Sequence, residues 1–323
     1  MSKFYVSENH IKPQMFGGIT QFRICMKQIV ECVANFSEGR RLDVVQQIID
    51  AINAIDGVAI LASESDADHN RSVITFAGTP DAMLHGTFEG IRVASALIDL
   101  DTHRGQHPRL GAADVVPFIP IQNMTMDDCI QMAHQLGKRV ADELKIPVYL
   151  YEQAATRSDR QNLADVRRGE YEGLKQEIRS NPNRKPDYGE CEVGTAGATI
   201  IGARHALIAY NVFLTTDNVD IAKKIAKAIR HSSGGLHYVK ALGLLVDGKA
   251  QVSMNLTNYK KTPIYRVVEM IRREAERYGV AIESSELIGL VPQDALLESA
   301  AWYLQMDNYS SDRVLENRLQ IIE

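Results

Sequence analysis

The chain has 323 residues, of which 45% are hydrophobic and 24% are charged, and its formal net charge at pH 7 is -5. This composition is that of an ordinary globular protein, and the length predicts two domains. Nucleic acids and membranes are not expected as partners, because the charge is mildly acidic and no apolar run approaches the roughly 20 residues of a transmembrane helix.

The first part of the chain predicts alternating strands and helices. Residues 1–25 show no clear periodicity, and we expect them to be an N-terminal extension. From residue 26 onward the apolar patterns predict the order β-α-β-β-α-β-α-β, which is a split βαβ unit with one added α-β pair. The predicted strands are 28–34, 58–62, 71–77, 115–121 and 148–151, and the predicted helices are 42–55, 80–99 and 126–145, the last two with Thr79 and Thr125 as N-caps.

A change of composition predicts a domain boundary in the middle of the chain. The stretch 162–191 is polar, charged and dotted with proline. We expect a first subdomain at 26–180, a second at 181–305 and a C-terminal tail at 306–323. The second subdomain again predicts β-α-β-β-α-β, preceded by one extra strand. Its predicted strands are 198–201, 205–214, 237–246, 250–256 and 280–283, and its predicted helices are 219–232, 263–278 and 293–305.

The four cysteines are dispersed, at Cys25, Cys32, Cys129 and Cys191. None forms a CxxC pair, so the sequence supports neither a thioredoxin-like motif nor a zinc ribbon. Since no secretory signal pattern is recognised, we expect reduced and mostly buried thiols in a cytoplasmic protein.

The stretch THRGQHPRLGAADVVPFIP places two histidines and two arginines in a loop before a buried strand. It is typical of a metal site, an acid–base site, an anion site or an ordinary polar turn. Gly105 and Pro108 oppose a helix, so His103 and His107 would not share a helical face as metal ligands do in a helix. A neighbouring cation would keep His107 neutral and able to accept a proton, and Arg109 could bind an anion.

Three further polar clusters each have a structural alternative. Residues 35–39 join a strand to a helix, with Ser37 as a predicted N-cap. Residues 64–71 space their acids as in a calcium loop but lack its glycine and its distant glutamate, so a polar turn is the alternative. The glycines of 194–203 favour close backbone approach rather than a dinucleotide site, and Lys240 is a candidate for an anionic ligand.

Several of these stretches occur together in one known family. They include VECVANFSEGR at 30–40, DLDTHRGQHPRLGAADVVPFIPI at 99–121, RRGEYEGL at 167–174, GATIIGAR at 197–204 and GLVPQDALLESAAWY at 289–303. In this order they resemble glutamate formiminotransferase, the amino-terminal half of formiminotransferase-cyclodeaminase. The resemblance covers nearly everything after Met26 and does not include the cyclodeaminase half.

The resemblance implies a fold and a reaction. The fold is α/β (α+β), with two ferredoxin-like split βαβ subdomains and a ligand groove between them, in a homodimer. The reaction moves the formimino group of N-formimino-L-glutamate to N5 of tetrahydrofolate in histidine catabolism, and gives 5-formiminotetrahydrofolate and L-glutamate. Tetrahydrofolate is the co-substrate, and no metal is expected.

The resemblance also implies catalytic residues. The family's H-P-R motif falls on His107, which would take a proton as N5 attacks and return it to the departing glutamate nitrogen. Arg109 and Arg71 are candidates to bind substrate carboxylates, and Asp114 or Glu64 is expected to orient the histidine or the pterin. His103 is expected behind the site or at the edge of the substrate, with a solvent-exposed turn as the alternative.

The expected folate-binding residues lie in several parts of the chain. Asn35, Arg71 and Lys240 are predicted to contact folate, and Arg204 to line its groove. The family's folate-binding segment falls on nine consecutive residues: Gly189, Glu190, Cys191, Glu192, Val193, Gly194, Thr195, Ala196 and Gly197.

This chain departs from the family pattern at a few positions. Ala34 stands where proline is common, and Glu64 replaces an expected aspartate. The folate segment is one residue shorter and lacks an aromatic residue, which puts the donor preference in doubt. One alternative is formyl transfer between 5-formyltetrahydrofolate and glutamate at the same site. Another is a non-catalytic folate-binding partner of a separate cyclodeaminase.

Overall fold

The computed structural model describes residues 27–319, and the extension predicted at residues 1–25 lies outside the described residues. This range forms ten strands and nine α-helices. The strands are β1 (Ile29–Phe36), β2 (Val58–Asp66), β3 (Arg71–Gly78), β4 (Ala113–Gln122), β5 (Val148–Glu152), β6 (Thr199–Ala203), β7 (Ile208–Leu214), β8 (Val239–Val246), β9 (Lys249–Leu256) and β10 (Ile282–Ile288). The helices are α1 (Leu42–Asn53), α2 (Pro80–Leu97), α3 (Met126–Leu144), α4 (Leu163–Val166), α5 (Glu170–Glu177), α6 (Val219–Ile229), α7 (Ile264–Glu276), α8 (Gln293–Tyr303) and α9 (Leu315–Leu319).

Two of the three predicted N-caps are confirmed. Thr79 is the N-cap of α2, with proline in the first turn, and Thr125 caps α3. Thr125 Oγ1 accepts a hydrogen bond from the backbone N–H of Asp128, and the Asp128 carboxylate accepts one from the backbone N–H of Thr125. This reciprocal pair is a capping box. The predicted N-cap role of Ser37 is wrong. The N-cap of α1 is Arg41, and the Ser37 hydroxyl donates to the carbonyl oxygen of Gly111 instead.

The strands form a six-stranded and a four-stranded sheet. The larger sheet has the order β2-β3-β1-β4-β6-β5, and the smaller has the order β10-β7-β9-β8. The run β-α-β-β-α-β occurs once in each sheet, and in both its first strand lies between its third and fourth. These pairings are antiparallel, whereas β6 pairs in parallel with both β4 and β5.

The strand predicted in front of the second subdomain belongs to the first sheet. β6 inserts between β4 and β5, so the two sheets divide after Ala203 and before Ile208. The change of composition predicts the division earlier, after residue 180. The polar stretch before β6 is not a linker, because it forms α4 and α5, which pack on the larger sheet's unit.

Each sheet has helices on one face. α1, α2 and α3 pack on the larger sheet, and α6 and α7 pack on the smaller. Along β1, alternate residues from Val30 to Phe36 are buried against the helices, as the period of a strand requires. Glu31, Val33 and Asn35 point to the other side, which we call the helix-free face. This face is available for a ligand.

The described cysteines are free thiols, as predicted. Cys32 and Cys129 are buried, and Cys191 is half-buried. Burial raises the pKa of the Cys129 thiol to about 12 and raises the pKa of Cys32 as well. In the part of the chain that the structure describes, no helix combines the length and the apolar character needed to cross a membrane.

Candidate functional site

A groove of about 390 Å³ lies between the helix-free face of the larger sheet and the smaller sheet's unit. Strands β1 to β4 form its floor. The opposite wall comes from the connection between the two sheets, from β9 and from the turn after β10. The polar residues that line the groove are Glu31, Asn35, Glu64, Arg71, Thr75, His107, Arg167, Arg204 and Asn255.

The strand register orders the groove along its length. Asn35 lies opposite Val115, and Glu31 lies opposite Ile119. These two levels are four residues apart on β4, or about 13 Å at the usual rise of a strand. Asn35 and His107 mark what we call the histidine end, and Glu31 and Arg204 mark the far end. Val33 and Pro117 line the middle beside Thr75, so the groove carries charged side chains at both ends and is mostly apolar between them.

His107 is held as a neutral imidazole. Its Nδ1 donates to the carbonyl oxygen of Pro108 at 2.7 Å, and because a carbonyl only accepts, Nδ1 carries the ring proton. Nε2 is then the acceptor, and it makes no hydrogen bond to another described residue. Burial and the neighbouring guanidinium of Arg71 lower the pKa of His107 to about 4, so the imidazole is neutral at pH 7.

Asp114 is a fully buried carboxylate that holds two arginines beside His107. Its Oδ2 accepts from Arg71 Nη1 at 2.8 Å and from Arg167 Nη2 at 2.5 Å, and its Oδ1 accepts from the Leu110 N–H at 2.8 Å. Burial works to raise the pKa of Asp114, but Arg167 and Arg71 hold it below its ordinary value. A buried carboxylate with three donors stays ionised and fixes both guanidinium groups.

Arg71 connects this cluster to the sheet. Its Nε and Nη2 both donate to Asn35 Oδ1, at 3.0 and 2.9 Å, and the Asn35 amide nitrogen donates to the carbonyl oxygen of Val33. The predicted residues Asn35, Arg71, Asp114 and His107 are therefore brought together at the histidine end. Glu64 lines the same end, on β2 opposite Val73.

Arg109 lies away from the groove, contrary to the expectation that it binds a substrate carboxylate. Its guanidinium donates to Glu172 at 2.6 and 2.9 Å and to Glu170 at 3.1 Å, and its Nε donates to His103 Nδ1 at 3.2 Å. These partners occupy its donors. Arg109 therefore joins the loop that carries His107 to α5.

His103 is buried, which rules out the solvent-exposed alternative. Its Nδ1 accepts from Arg109, so its Nε2 carries the proton and donates to the carbonyl oxygen of Asn70 at 3.0 Å. Burial lowers the pKa of His103, and Arg109 adds to this effect. The side chain links the loop to the turn between β2 and β3, behind the groove.

The segment predicted to bind folate, residues 189–197, does not line the groove. It packs instead against the start of β4 and against the residues before it. The N–H of Leu100 donates to Thr195 O, and the N–H of Ala112 donates to Ala196 O. Gly197 has φ +72°, and a Cβ there would lie 2.2 Å from the Leu110 carbonyl oxygen. The segment thus supports the His107 loop from behind.

A smaller pocket of about 120 Å³ continues the groove beyond the far end. It shares Arg204 with the groove, and it also contains Lys240 and Asn258. Lys240 Nζ donates to Asn162 Oδ1 at 3.4 Å, which connects the two sheets' units. Lys240 and Asn35 therefore lie in connected cavities, with Asn35 at the histidine end and Lys240 beyond the far end.

Residues 67–70 form an ordinary polar turn, whereas Glu64 and Arg71 on either side of it belong to β2 and β3 and line the groove. The Asp66 carboxylate accepts from the backbone N–H of His69 and pairs with its ring, both at 2.8 Å. Between residues 27 and 319, no group of three or more histidine, cysteine, aspartate or glutamate side chains is arranged to hold a metal ion.

Four polar groove residues are absent from the sites predicted by the sequence, namely Glu31, Thr75, Arg167 and Asn255. Arg167 lies in RRGEYEGL, whose polar composition is typical of a linker. Glu31 alternates with buried residues along β1, and this alternation was a usable signal, because an acidic residue at mid-strand must face solvent or a ligand.

Comparisons with known proteins agree on one family. The model of the formiminotransferase domain, N-terminal subdomain, matches residues 29–204, and the model of the formiminotransferase domain matches residues 209–322. A glutamate formimidoyltransferase of Thermoplasma acidophilum is 52% identical over 90% of this chain and 97% of that protein. A glutamate formimidoyltransferase of Streptococcus pyogenes is 46% identical over 91% and 99%.

Bifunctional relatives match only in part. The formimidoyltransferase-cyclodeaminase of Sus scrofa is 41% identical over 88% of this chain but only 54% of that protein. The resemblance drawn from the sequence motifs is confirmed, and this chain belongs to the formiminotransferase family.

Proposed function

We propose that this protein transfers the formimino group from N-formimino-L-glutamate to N5 of tetrahydrofolate, and so gives 5-formiminotetrahydrofolate and L-glutamate. The observation that carries this proposal is a neutral histidine with its accepting nitrogen free, in a groove with arginines at both ends. Near-complete coverage of two relatives named glutamate formimidoyltransferase supports the same reaction.

His107 moves one proton in this reaction. The N5 lone pair attacks the formimino carbon, and Nε2 of His107 takes the N5 proton as the new bond forms. The resulting imidazolium then gives that proton to the glutamate nitrogen while the bond from the formimino carbon to this nitrogen breaks. The base is regenerated, and no oxidant or reductant is needed. Holding both substrates in one groove supplies further acceleration.

The neighbouring residues position this base. Asp114 fixes Arg71 and Arg167, which keep the imidazole neutral before the reaction. Arg109 and the segment 189–197 hold the His107 loop from outside the groove, so we now give them a positioning role rather than contact with substrate.

The sequence of polar and apolar surfaces orients the folate. A pterin has several N–H donors, which suit the carboxylate of Glu64, and a carbonyl oxygen, which suits the remaining N–H of the Asn35 amide at the histidine end. The benzoyl ring suits the apolar middle of the groove. The carboxylates of the folate glutamate then reach the far end, where Arg204 and Lys240 supply positive charge.

Other properties rest on the family resemblance and on the fold. We propose two ferredoxin-like subdomains, since the order β-α-β-β-α-β recurs with the same strand arrangement. A homodimer, a cytoplasmic location and a separate cyclodeaminase as partner complete the proposal. Relatives that carry both names in one chain support this last point.

The proposal is tested by turnover of tetrahydrofolate with N-formimino-L-glutamate, beside N-formyl-L-glutamate as a second donor. We expect turnover with the formimino donor, and we expect His107→Asn to lower kcat by about 10²- to 10⁴-fold, as loss of a general acid–base group does. His85→Ala is the matched control, because His85 is exposed on α2, on the opposite face of the sheet.

Three outcomes would contradict the proposal. Preference for the formyl donor would indicate formyl transfer. Folate binding without turnover of either donor would indicate a non-catalytic partner protein. Turnover by folded His107→Asn at the wild-type rate would remove the histidine mechanism.

A further inference from the structure

Arg167 has donors that the protein itself does not use. Its Nη2 donates to Asp114, but its Nε is buried and makes no hydrogen bond to any described residue. Its side chain is 13% exposed and lines the groove. A buried donor without an acceptor costs free energy, so its presence calls for an explanation. Arg71 differs, because each of its three nitrogens donates to Asp114 or Asn35.

The chain holds Arg167 in place with a strained turn. Arg167 ends α4, and its carbonyl oxygen accepts from the N–H of Glu170 at 2.8 Å. Gly169 and Glu170 both have positive φ, at +81° and +53°, and this conformation is unfavourable for glutamate. The Glu170 carboxylate is bonded to Arg109, on the His107 loop. The turn with Arg167 and the loop with His107 are therefore fastened together.

The covalent structure of the formimino donor, N-formimino-L-glutamate, determines which anion reaches Arg167. In N-formimino-L-glutamate the leaving nitrogen is attached to the α-carbon, which also carries the α-carboxylate. A cation beside His107 therefore meets the α-carboxylate of the donor. The carboxylates of folate are separated from N5 by the benzoyl ring, and the cations that suit them, Arg204 and Lys240, lie at the far end.

We infer that Arg167 binds the α-carboxylate of the donor and so makes the enzyme specific for N-substituted α-amino acids with a free α-carboxylate. This inference rests on the proposed function. Asp114 orients the guanidinium through its Nη2. Nη1 makes no hydrogen bond to a described residue and is not one of the buried donors, so it can donate a charge-assisted hydrogen bond to the substrate.

The test is steady-state kinetics of Arg167→Met with each substrate varied in turn. We expect the KM for N-formimino-L-glutamate to rise about 10- to 100-fold, as loss of a hydrogen bond to a charged group does, with less than about twofold change in the KM for tetrahydrofolate. Arg168→Met is the matched control. The Arg168 side chain is next to Arg167 in the chain, but it is 79% exposed and pairs with Asp165, so both KM values should stay unchanged.

Two further variants separate binding from structure. Arg204→Met removes the cation at the far end, so it should raise the KM for tetrahydrofolate and leave the KM for the donor nearly unchanged. Arg167→Lys keeps a charge beside Asp114 but loses the second donor of the guanidinium. It should fold like wild type, and it serves as the test variant if Arg167→Met unfolds. Its donor KM should again rise selectively.

A change in the substrate completes the test. The donor with an α-carboxamide in place of the α-carboxylate should lower kcat/KM of the wild type by about the factor that Arg167→Met causes. It should lower kcat/KM of the variant little further, because the interaction is already absent. Equal rises of both KM values in Arg167→Met, or a full further loss with the carboxamide donor, would overturn the inference.

Failure of the proposed function is recognisable separately, because the wild type would not turn over N-formimino-L-glutamate. Calorimetric binding of N-acetyl-L-glutamate would still decide the role of Arg167. Binding by the wild type that is lost in Arg167→Met supports the inference, whereas equal binding by both proteins, or no binding by the wild type, overturns it.

Discussion

Asp114 determines the charges around His107. It is 0% exposed and accepts hydrogen bonds from Arg71, Arg167 and the backbone of Leu110. Without this carboxylate two guanidinium groups would share a buried region with one amide oxygen, that of Asn35. Forming the cluster has a cost in stability, because both arginines must be dehydrated.

We expect Asp114→Asn to lower the free energy of unfolding at pH 7 by about 3–5 kcal/mol, because it leaves buried cations without their counter-charge. The sign of the pH dependence follows from the lowered pKa of Asp114. Its stabilisation is complete above the ordinary aspartate pKa of 3.8 and is lost as the pH falls through the lower folded-state pKa. Urea unfolding between pH 7 and about pH 3 measures both effects.

In that experiment the wild type should lose stability on acidification more steeply than Asp114→Asn. The control is Asp142→Asn, because Asp142 is exposed on α3. A variant with unchanged stability at pH 7 would show that the arginines do not need Asp114.

At the scale of elements, the site depends on segments that never touch the groove. The His107 loop is fastened to α5 through Arg109 and to the turn after β2 through His103. Behind it, the segment 189–197 packs its backbone against Leu110 and Gly111. A loop with glycine and proline gains its rigidity from such contacts rather than from its own hydrogen bonds.

We expect Gly197→Ala to lower the free energy of unfolding by about 2–4 kcal/mol and to lower kcat as well. The methyl group would be strained at φ +72° and would lie 2.2 Å from the Leu110 carbonyl oxygen, so the backbone before β4 must move. Gly194→Ala is the control, because a Cβ there has no atom within 4 Å. Urea unfolding and turnover measure both variants, and equal effects would show that the close approach at Gly197 is unimportant.

The elements could be predicted from sequence where the signal is local. Apolar periodicity and the threonine caps predict α2 and α3, because a helix and its cap depend on residues a few positions apart. The sheet that receives β6 could not be predicted in this way. An apolar run predicts a strand, but parallel pairing with β4 joins residues about 85 positions apart, as Val115 and Ile200 show.

The site residues also separate into those that a local motif predicts and those whose partners are distant in the sequence. The sequence singles out His107 through its motif, and the structure adds that its accepting nitrogen, Nε2, makes no hydrogen bond to a described residue. Arg109 lies two residues from His107 in the chain, yet its partners are the glutamates of α5, more than 60 residues later. Charge partners this distant leave no trace in a single sequence, and for the same reason Arg167 was missed.

At the scale of the whole molecule, the groove requires both sheets. Its floor belongs to the larger sheet, whereas Asn255, Ile288 and Leu290 come from the smaller sheet's unit. The connection from Arg204 to Leu207 lines the groove and also joins the two sheets, so a ligand there contacts the segment about which the two units would move. Binding of folate should therefore restrain both units together.

Hydrogen exchange with tetrahydrofolate at about 100 times its dissociation constant tests this coupling. Binding at that concentration adds about 2.7 kcal/mol, so openings that release the ligand should become about 100-fold rarer. We expect slower exchange in the amides of 204–209 and 288–290, the two stretches that contribute groove residues from the connection and from the smaller sheet's unit. Helix α1, on the other face of the larger sheet, should change little, because its local fraying does not release the ligand. Protection confined to strands β1 to β4 would show that folate binds to one sheet alone. The variant Arg204→Met should reduce the protection, because it weakens folate binding at the far end.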